Sequence, residues 1–257
     1  MSEILKEVDS LKEILINNQL PLETKKSLDE DFKLRYTNDS NAIEGNTLTL
    51  FETKVVLEGM TIGGKSLKEH LETINHAHAI DFMLEMANSN TMLNTFDIKS
   101  LHQIVLQSID QKNAGVYRNV DVIISGANHM PPSYINVVSE MERFLEWYQN
   151  EAQILHPIIR ASRIHIDFVG IHPFVDGNGR MSRLLMNYEL IKNNYPPINI
   201  KYSSKAEYFY ALDEAHCYQH YEKFDNLVIR EVKSELEKQI QFIKAPHINE
   251  NEKNKPI

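Results

Sequence analysis

Apolar residues recur at helical spacing along almost the whole of this sequence, and that periodicity limits the fold more than any single motif. Ile4, Val8, Leu11 and Leu15 fall three and four positions apart, on one face of a helix over 3–17. Ile98, Leu101 and Val105 repeat the spacing in a later segment. Helix starts are legible too. Thr49 with Glu52, and Ser66 with Glu69, are pairs in which each residue can satisfy a backbone N–H of the other. They predict a short helix stopping near Gly59 and a longer one over about 67–87. Pro21 precedes a helix over 23–44, Thr95 is placed to cap the next, and Pro157 suits a first helical position. Further helices are expected over 133–150 and 157–171, and near 179–193, 204–217 and 223–244.

One segment breaks the pattern. Val120-Asp121-Val122-Ile123-Ile124 is β-branched, Ser125-Gly126-Ala127-Asn128 is turn chemistry, and Pro131-Pro132 ends it. A short β-hairpin is predicted, too small to be a sheet core and therefore a surface flap. The expected class is all-α, a helical bundle with one hairpin flap. Residues 1–35 form an N-terminal helical extension and a candidate homodimer contact, and Ala245–Ile257 a polar, flexible tail.

Composition narrows the function. A chain of 257 residues with 42% hydrophobic content can bury the core of one elaborated domain or two small ones. A formal charge of -9 repels phosphate backbones, so no nucleic-acid partner is expected. Cys217 is the only cysteine, which rules out an intramolecular disulfide and fits a reducing compartment. The N-terminus lacks a secretory pattern, and no run approaches the ~18 apolar residues of a membrane span. A cytoplasmic protein without a membrane partner is expected.

Chemistry concentrates at His172-Pro173-Phe174-Val175-Asp176-Gly177-Asn178-Gly179-Arg180. Pro173 stops the preceding helix, and Gly177 and Gly179 let successive N–H groups converge where the next helix begins. That is an anion site reinforced by the helix dipole. Arg180 and Arg183, three apart, add charge against phosphate oxygens. Asp176 is a hard ligand suited to Mg²⁺ or Mn²⁺ beside phosphates. His172 is the one group whose ordinary pKa suits proton transfer near neutrality. Phe174 is read as an apolar anchor. His76, His78 and His165 are read as structural, because no cysteine or third histidine completes a zinc site with them.

Position for position, His172–Arg180 is similar to the signature of Fic-domain proteins, and the resemblance runs from about residue 36 to residue 228. Fic enzymes typically transfer AMP from ATP to a hydroxyl of a target protein. The resemblance implies that His172 deprotonates the Ser, Thr or Tyr hydroxyl and that Asp176 binds the metal ion. It implies that Gly177, Asn178, Gly179, Arg180 and Arg183 hold phosphates. The segment from Val122, Ile123, Ile124, Ser125 and Gly126 to Pro131 looks like the target-docking flap, with His129 facing substrate or solvent. Lys205, Tyr208 and Leu212 resemble the adenine-pocket segment, with His216 where related proteins often have asparagine.

Ser40-Asn41-Ala42-Ile43-Glu44-Gly45-Asn46 is similar to the family's inhibitory motif. The resemblance implies that Glu44 pairs with Arg183 and competes with the γ-phosphate, with Ser40 and Gly45 completing the motif. The same carboxylate could orient a water for removal of AMP. The implied organisation is an N-terminal region over 1–65 carrying the motif and a catalytic domain over 66–244. Two alternatives stay open: transfer of another phosphate-containing group, and a non-catalytic module of a regulatory or toxin–antitoxin system.

Overall fold

The computed structural model of the chain describes residues 2–89 and 91–244; the tail expected over 245–257 lies outside them. Ten α-helices are found among the described residues. They are α1 (Ser2–Asn17), α2 (Leu22–Ile43), α3 (Leu50–Leu57), α4 (Leu67–Asn88), α5 (Thr95–Val105), α6 (Val137–Asn150), α7 (Pro157–Ile171), α8 (Asn178–Lys192), α9 (Lys205–Tyr218) and α10 (Glu222–Lys244). Both expected capping boxes form: Thr49 accepts from Glu52 N–H and Ser66 from Glu69 N–H, with each glutamate returning a bond. Thr95 is not a cap. Asn94 holds that position, its Oδ1 accepting from Phe96 and Asp97 N–H, and Thr95 is the first helical residue.

The antiparallel pair α7 and α8 is the centre, with α4 packed on α8, α5 on α4, and α1 on α10. Two apolar cores meet across it. Ile164, Phe168, Met181, Leu184 and Leu185 face the core shared with α4, α5 and α6. Ile158, Ile166, Val169, Met186 and Leu190 face the one shared with α1, α9 and α10. The α1 stripe is used here with one change: Val8 is fully buried and Leu11 and Leu15 pack beside it, but Ile4 is exposed and Leu5 takes the place expected of it.

A helix buried on both sides should be apolar all round, yet α8 carries Asn178, Arg180, Ser182, Arg183, Asn187 and Glu189, all buried. Each therefore needs partners. Glu189 takes Arg160 Nε at 2.5 Å and Tyr148 Oη at 2.8 Å. Asn187 bonds both Ile198 N–H and Ile198 C=O. Ser182 donates to Gly179 C=O. What the remaining three do defines the site.

The expected hairpin is absent: residues 120–131 form no strand, and the backbone bond found within them is Ala127 N–H to Ile124 C=O at 3.2 Å. Side chains take the groups a ladder would use. Arg118 donates to Val120 C=O (2.9 Å) and Pro132 C=O (2.5 Å). Asp121 accepts from Tyr134 N–H, and Asp213 from Asn128 N–H. Pro131 and Pro132 have no N–H to give. The segment is an open loop whose two ends are tied by one guanidinium.

Burial lowers the pKa of five histidines: His102 and His172 to about 4, His76 and His165 well below the usual value, and His216 below it. The unfolded chain then binds more protons than the folded one below pH 6.5, so their stabilising effect is present above that pH and lost as pH falls. Asp167, pushed up to about 6 by burial, works in the opposite sense, as do Asp29, Asp97 and Asp225, whose carboxyls burial also raises; Glu69 and Asp176, both held low, act on the side of the histidines. The melting temperature should therefore fall steadily from pH 7 to pH 5; a flat profile would contradict the burial of these rings.

Candidate active site

Two left-handed residues bracket the loop between α7 and α8. His172 ends α7 at φ 51° and ψ 57°, and Gly177 starts α8 at φ 83°. Gly177 is required twice over, since a Cβ there would also lie 3.3 Å from His102 Nε2. Between them Phe174 is fully buried and stacks on His102 with centroids 3.5 Å apart. Asn178 staples the turn: its Oδ1 accepts from Phe174 N–H (2.9 Å) and its Nδ2 donates to Phe174 C=O (2.8 Å). That side chain is spent within the loop, so what α8 offers an anion is main chain. The first intrahelical bond runs from Met181 N–H to Gly177 C=O, leaving the N–H groups of residues 178–180 without helical acceptors.

His172 Nδ1 lies 3.2 Å from Val169 C=O. A carbonyl can only accept, so Nδ1 carries the proton and Nε2 keeps its lone pair. Burial first, and the charge of Arg118 among the smaller causes, holds the ring neutral with a pKa of about 4. It is poised as a base.

Asp176 is half exposed. Its Oδ1 accepts from Gly177 N–H (2.5 Å) and from Arg180 Nη2 (3.3 Å), while Lys68 Nζ lies 3.8 Å from Oδ2. Burial would raise its pKa, but Arg180, the Gly177 amide and Lys68 together hold it below the ordinary carboxylate value. Among the described residues no cluster of three or more His, Cys, Asp or Glu side chains could hold a metal. One ionised carboxylate suits an ion that arrives with phosphates and keeps its waters.

Arg180 is buried, with Nη1 3.8 Å from Glu72, and its Nε and Nη1 find no hydrogen-bond partner. Arg183, also buried, has partners. Its Nε donates to Ser40 Oγ (3.0 Å), its Nη2 to Ser40 C=O (2.8 Å) and to Glu44 Oε1 (2.7 Å), and its Nη1 to Tyr208 Oη (3.3 Å). Glu44 therefore reaches this site from the end of α2, with Gly45 turning away at φ 101°. Its carboxylate lies directly on α8: a Cβ at Gly179 would be 2.2 Å from Glu44 Oε1.

The turn after Glu44 is anchored to α4. Asn46 Nδ2 donates to Glu69 C=O (3.1 Å) and to Glu72 Oε2 (3.0 Å), and Thr47 Oγ1 donates to Glu69 Oε1 at 2.6 Å. The bond from Thr47 and those from Ser66 hold the Glu69 carboxyl down at about 2. The capping glutamate of α4 thus also fixes the segment that places Glu44.

The residues expected to line an adenine pocket divide. Tyr208 and Leu212 are buried, with Tyr208 against Arg183 and His165, while Lys205 lies over the Tyr202 and Phe209 rings. His129 and His216 stack at 4.5 Å and bond the Gly170 and Ile166 carbonyls. Of the residues read as structural, His76 bonds Ser40 Oγ and His165 lies 3.0 Å from Ser182 Oγ; both are buried, and His78 is exposed.

Sequence reasoning passed over His102 and Arg118. His102 Nδ1 accepts from Gly115 N–H, so its Nε2–H donates to Asp176 C=O at 3.0 Å and steadies the carboxylate-bearing turn. Lone residues outside the loop, they carried no local signal. The contact of Glu44 with α8 can be measured. Gly179→Ala should cost about 1–3 kcal/mol, the usual range for overpacking. The cost should be much smaller in a Glu44→Gly background, because the atom it would strike is gone. Equal costs in chemical denaturation of the two backgrounds would place Glu44 elsewhere.

The sequence model of the Fic/DOC family matches residues 92–190, which hold α7, this loop and most of α8. A protein adenylyltransferase Fic from Nematostella vectensis is 34% identical over 83% of this chain and 50% of its own length, so the chain spans about half of that curated relative. Among solved structures, Fic-1 from C. elegans superposes with a TM-score of 0.83 at 30% identity, over 94% of this chain and 71% of that one. A Fic-domain signalling protein from Bacteroides thetaiotaomicron gives 0.84 at 28% identity, over 94% and 97%. The sequence, the superpositions and the loop at 172–180 agree: this chain belongs to the Fic/DOC family.

Proposed function

We propose that the chain is a protein adenylyltransferase that moves AMP from ATP to a hydroxyl of a target protein, and that Glu44 holds it inactive at rest. The observation that carries this reading is the pairing of a neutral His172, its Nε2 free, with the amide-lined start of α8 backed by two buried arginines. The relatives named protein adenylyltransferase support the same activity.

In this mechanism the phosphates lie on the N–H groups of residues 178–180, with Arg180 and Arg183 countering their charge. His172 Nε2 removes the proton of the target hydroxyl as its oxygen attacks the α-phosphorus. The new P–O bond forms as the bond to the β-phosphate bridging oxygen breaks, and pyrophosphate leaves. Mg²⁺ or Mn²⁺ held by Asp176 would neutralise charge on the phosphates. The open loop over 120–131 receives the target main chain, since its backbone is largely free of internal pairing.

Glu44 occupies the Arg183 donor that an outer phosphate would use, so ATP binds unproductively until it leaves. A second role in AMP removal draws support from the partial exposure of its side chain, which lets water reach the carboxylate. The cytoplasmic setting belongs to the same proposal and draws on the single cysteine. Among the described residues no helix is long and apolar enough to cross a membrane.

With α-³²P-labelled ATP, Glu44→Gly should raise self-labelling roughly 5- to 150-fold, the range of a typical coupling energy. Adding His172→Ala should reduce it by on the order of 10²–10⁴, the share of a general base. Label from γ-³²P alone would instead indicate another transfer. Because the base is active when unprotonated, and losing the Glu44 charge can only lower His172 further, kcat/KM of the Glu44→Gly variant should stay level from pH 8 to about 5, with its acid limb no higher than the His172 value of about 4. A limb near 6.5 would contradict the burial of this ring.

A further inference from the structure

From Arg118 we infer that a single buried cation sets the distance between the catalytic base and the target-binding loop, and so determines which acceptor the base meets. This rests on the proposed transfer reaction and extends it to a positioning residue.

The guanidinium is wholly buried and spends its donors on main chain from three places. Nε donates to His172 C=O at 2.8 Å, Nη1 to Val120 C=O at 2.9 Å, and Nη2 to Pro132 C=O at 2.5 Å. The Arg118 backbone adds a fourth tie, its N–H donating to Pro173 C=O at 2.9 Å. One rigid plane therefore holds the entry of the open loop, its exit, and the carbonyl of the base.

Two features make this more than packing. His172 is in the left-handed region at φ 51°, which a residue with a side chain leaves unless its surroundings hold it. The carbonyls of His172 and Pro173 are both tied to Arg118, so the chain leaving the strained residue is held at two successive carbonyls. The loop also forms no ladder, and Arg118 supplies the closure that a hairpin would draw from paired strands. Asp121 Oδ1, 3.8 Å from Nη1, is its carboxylate neighbour, and it accepts from Tyr134 N–H at 2.7 Å to close the same end.

Lysine can keep the charge but not the fork, because one ammonium cannot reach three carbonyls in a plane. The loop ends would then move relative to His172. A protein hydroxyl delivered by the loop depends on that spacing, whereas water as acceptor does not. The consequence is a change in partition between protein and water, beyond any loss of overall rate.

The test uses the whole 257-residue chain in a Glu44→Gly background, α-³²P-labelled ATP, and a tagged His172→Ala copy of the chain as acceptor. Transfer to the tagged copy and release of free AMP are counted together, with ATP affinity as the check on folding. Arg118→Lys should lower the protein-to-water ratio roughly tenfold to a hundredfold, the scale of a misplacement near 1 Å, with ATP affinity unchanged. If Arg118→Lys does not fold, Asp121→Asn, at an exposed side chain, decides, and it should lower the ratio several-fold. A ratio equal to the parent's in the variant that folds overturns the inference and leaves the transfer reaction standing. A Glu44→Gly parent that labels nothing while binding ATP overturns the reaction itself, and the inference with it.

Discussion

Arg183 is a cation placed at the meeting point of two apolar cores, and a charge in that position has to be answered. Burial works against it, while Tyr208 and Glu44 favour the charged form. Ser40 offers both its hydroxyl and its carbonyl, and Glu44 completes the set at 2.7 Å. The end of α2 is therefore tied to the middle of α8 by the needs of one guanidinium. An incoming phosphate would meet those needs as well as a carboxylate does. Resting and active states of the proposed enzyme become two ways of satisfying the same buried charge.

Much of the surrounding fold keeps that choice local. Asn178 is spent on Phe174, His102 on Asp176 and Gly115, and Glu189 on Arg160 and Tyr148. These bonds hold the loop and the start of α8 whatever pairs with Arg183. Glu44 differs, since it is partly exposed and enters on a turn, so it can leave without taking the core with it. Arg180 is the counterpart: buried, with two donors lacking partners, a cost that a native structure retains where a ligand relieves it.

The helices were legible because their signals are local. The Thr49–Glu52 and Ser66–Glu69 pairs, the apolar stripe of α1 and Pro157 each act within one or two turns. The loop at 172–180 was legible for the same reason, its glycines, base and carboxylate being adjacent in sequence. Thr95 was misread because Asn94, one residue earlier, is the better acceptor for the first-turn amides. The hairpin was misread for a deeper reason. The β-branched run 120–124 has strand propensity, but the hydrogen bonds go to Arg118, Asp121 and Asp213, and no local pattern records that competition. Arg118 and His102 stayed hidden likewise, since their roles appear only once distant segments meet. The contact between Glu44 and Arg183 spans 139 positions, and only a family resemblance suggested it.

The central claim is that Glu44 and an outer phosphate compete for the same donor on Arg183. Calorimetric titration of ATP and AMP into the wild type and Glu44→Gly, under identical salt and Mg²⁺, tests it directly. AMP lacks the outer phosphates, so its affinity should be nearly the same in both proteins. ATP should bind the variant more tightly, by roughly 5- to 150-fold for a coupling of ordinary size. An equal gain for AMP and ATP, or none for either, would mean that Glu44 does not stand where the phosphate goes.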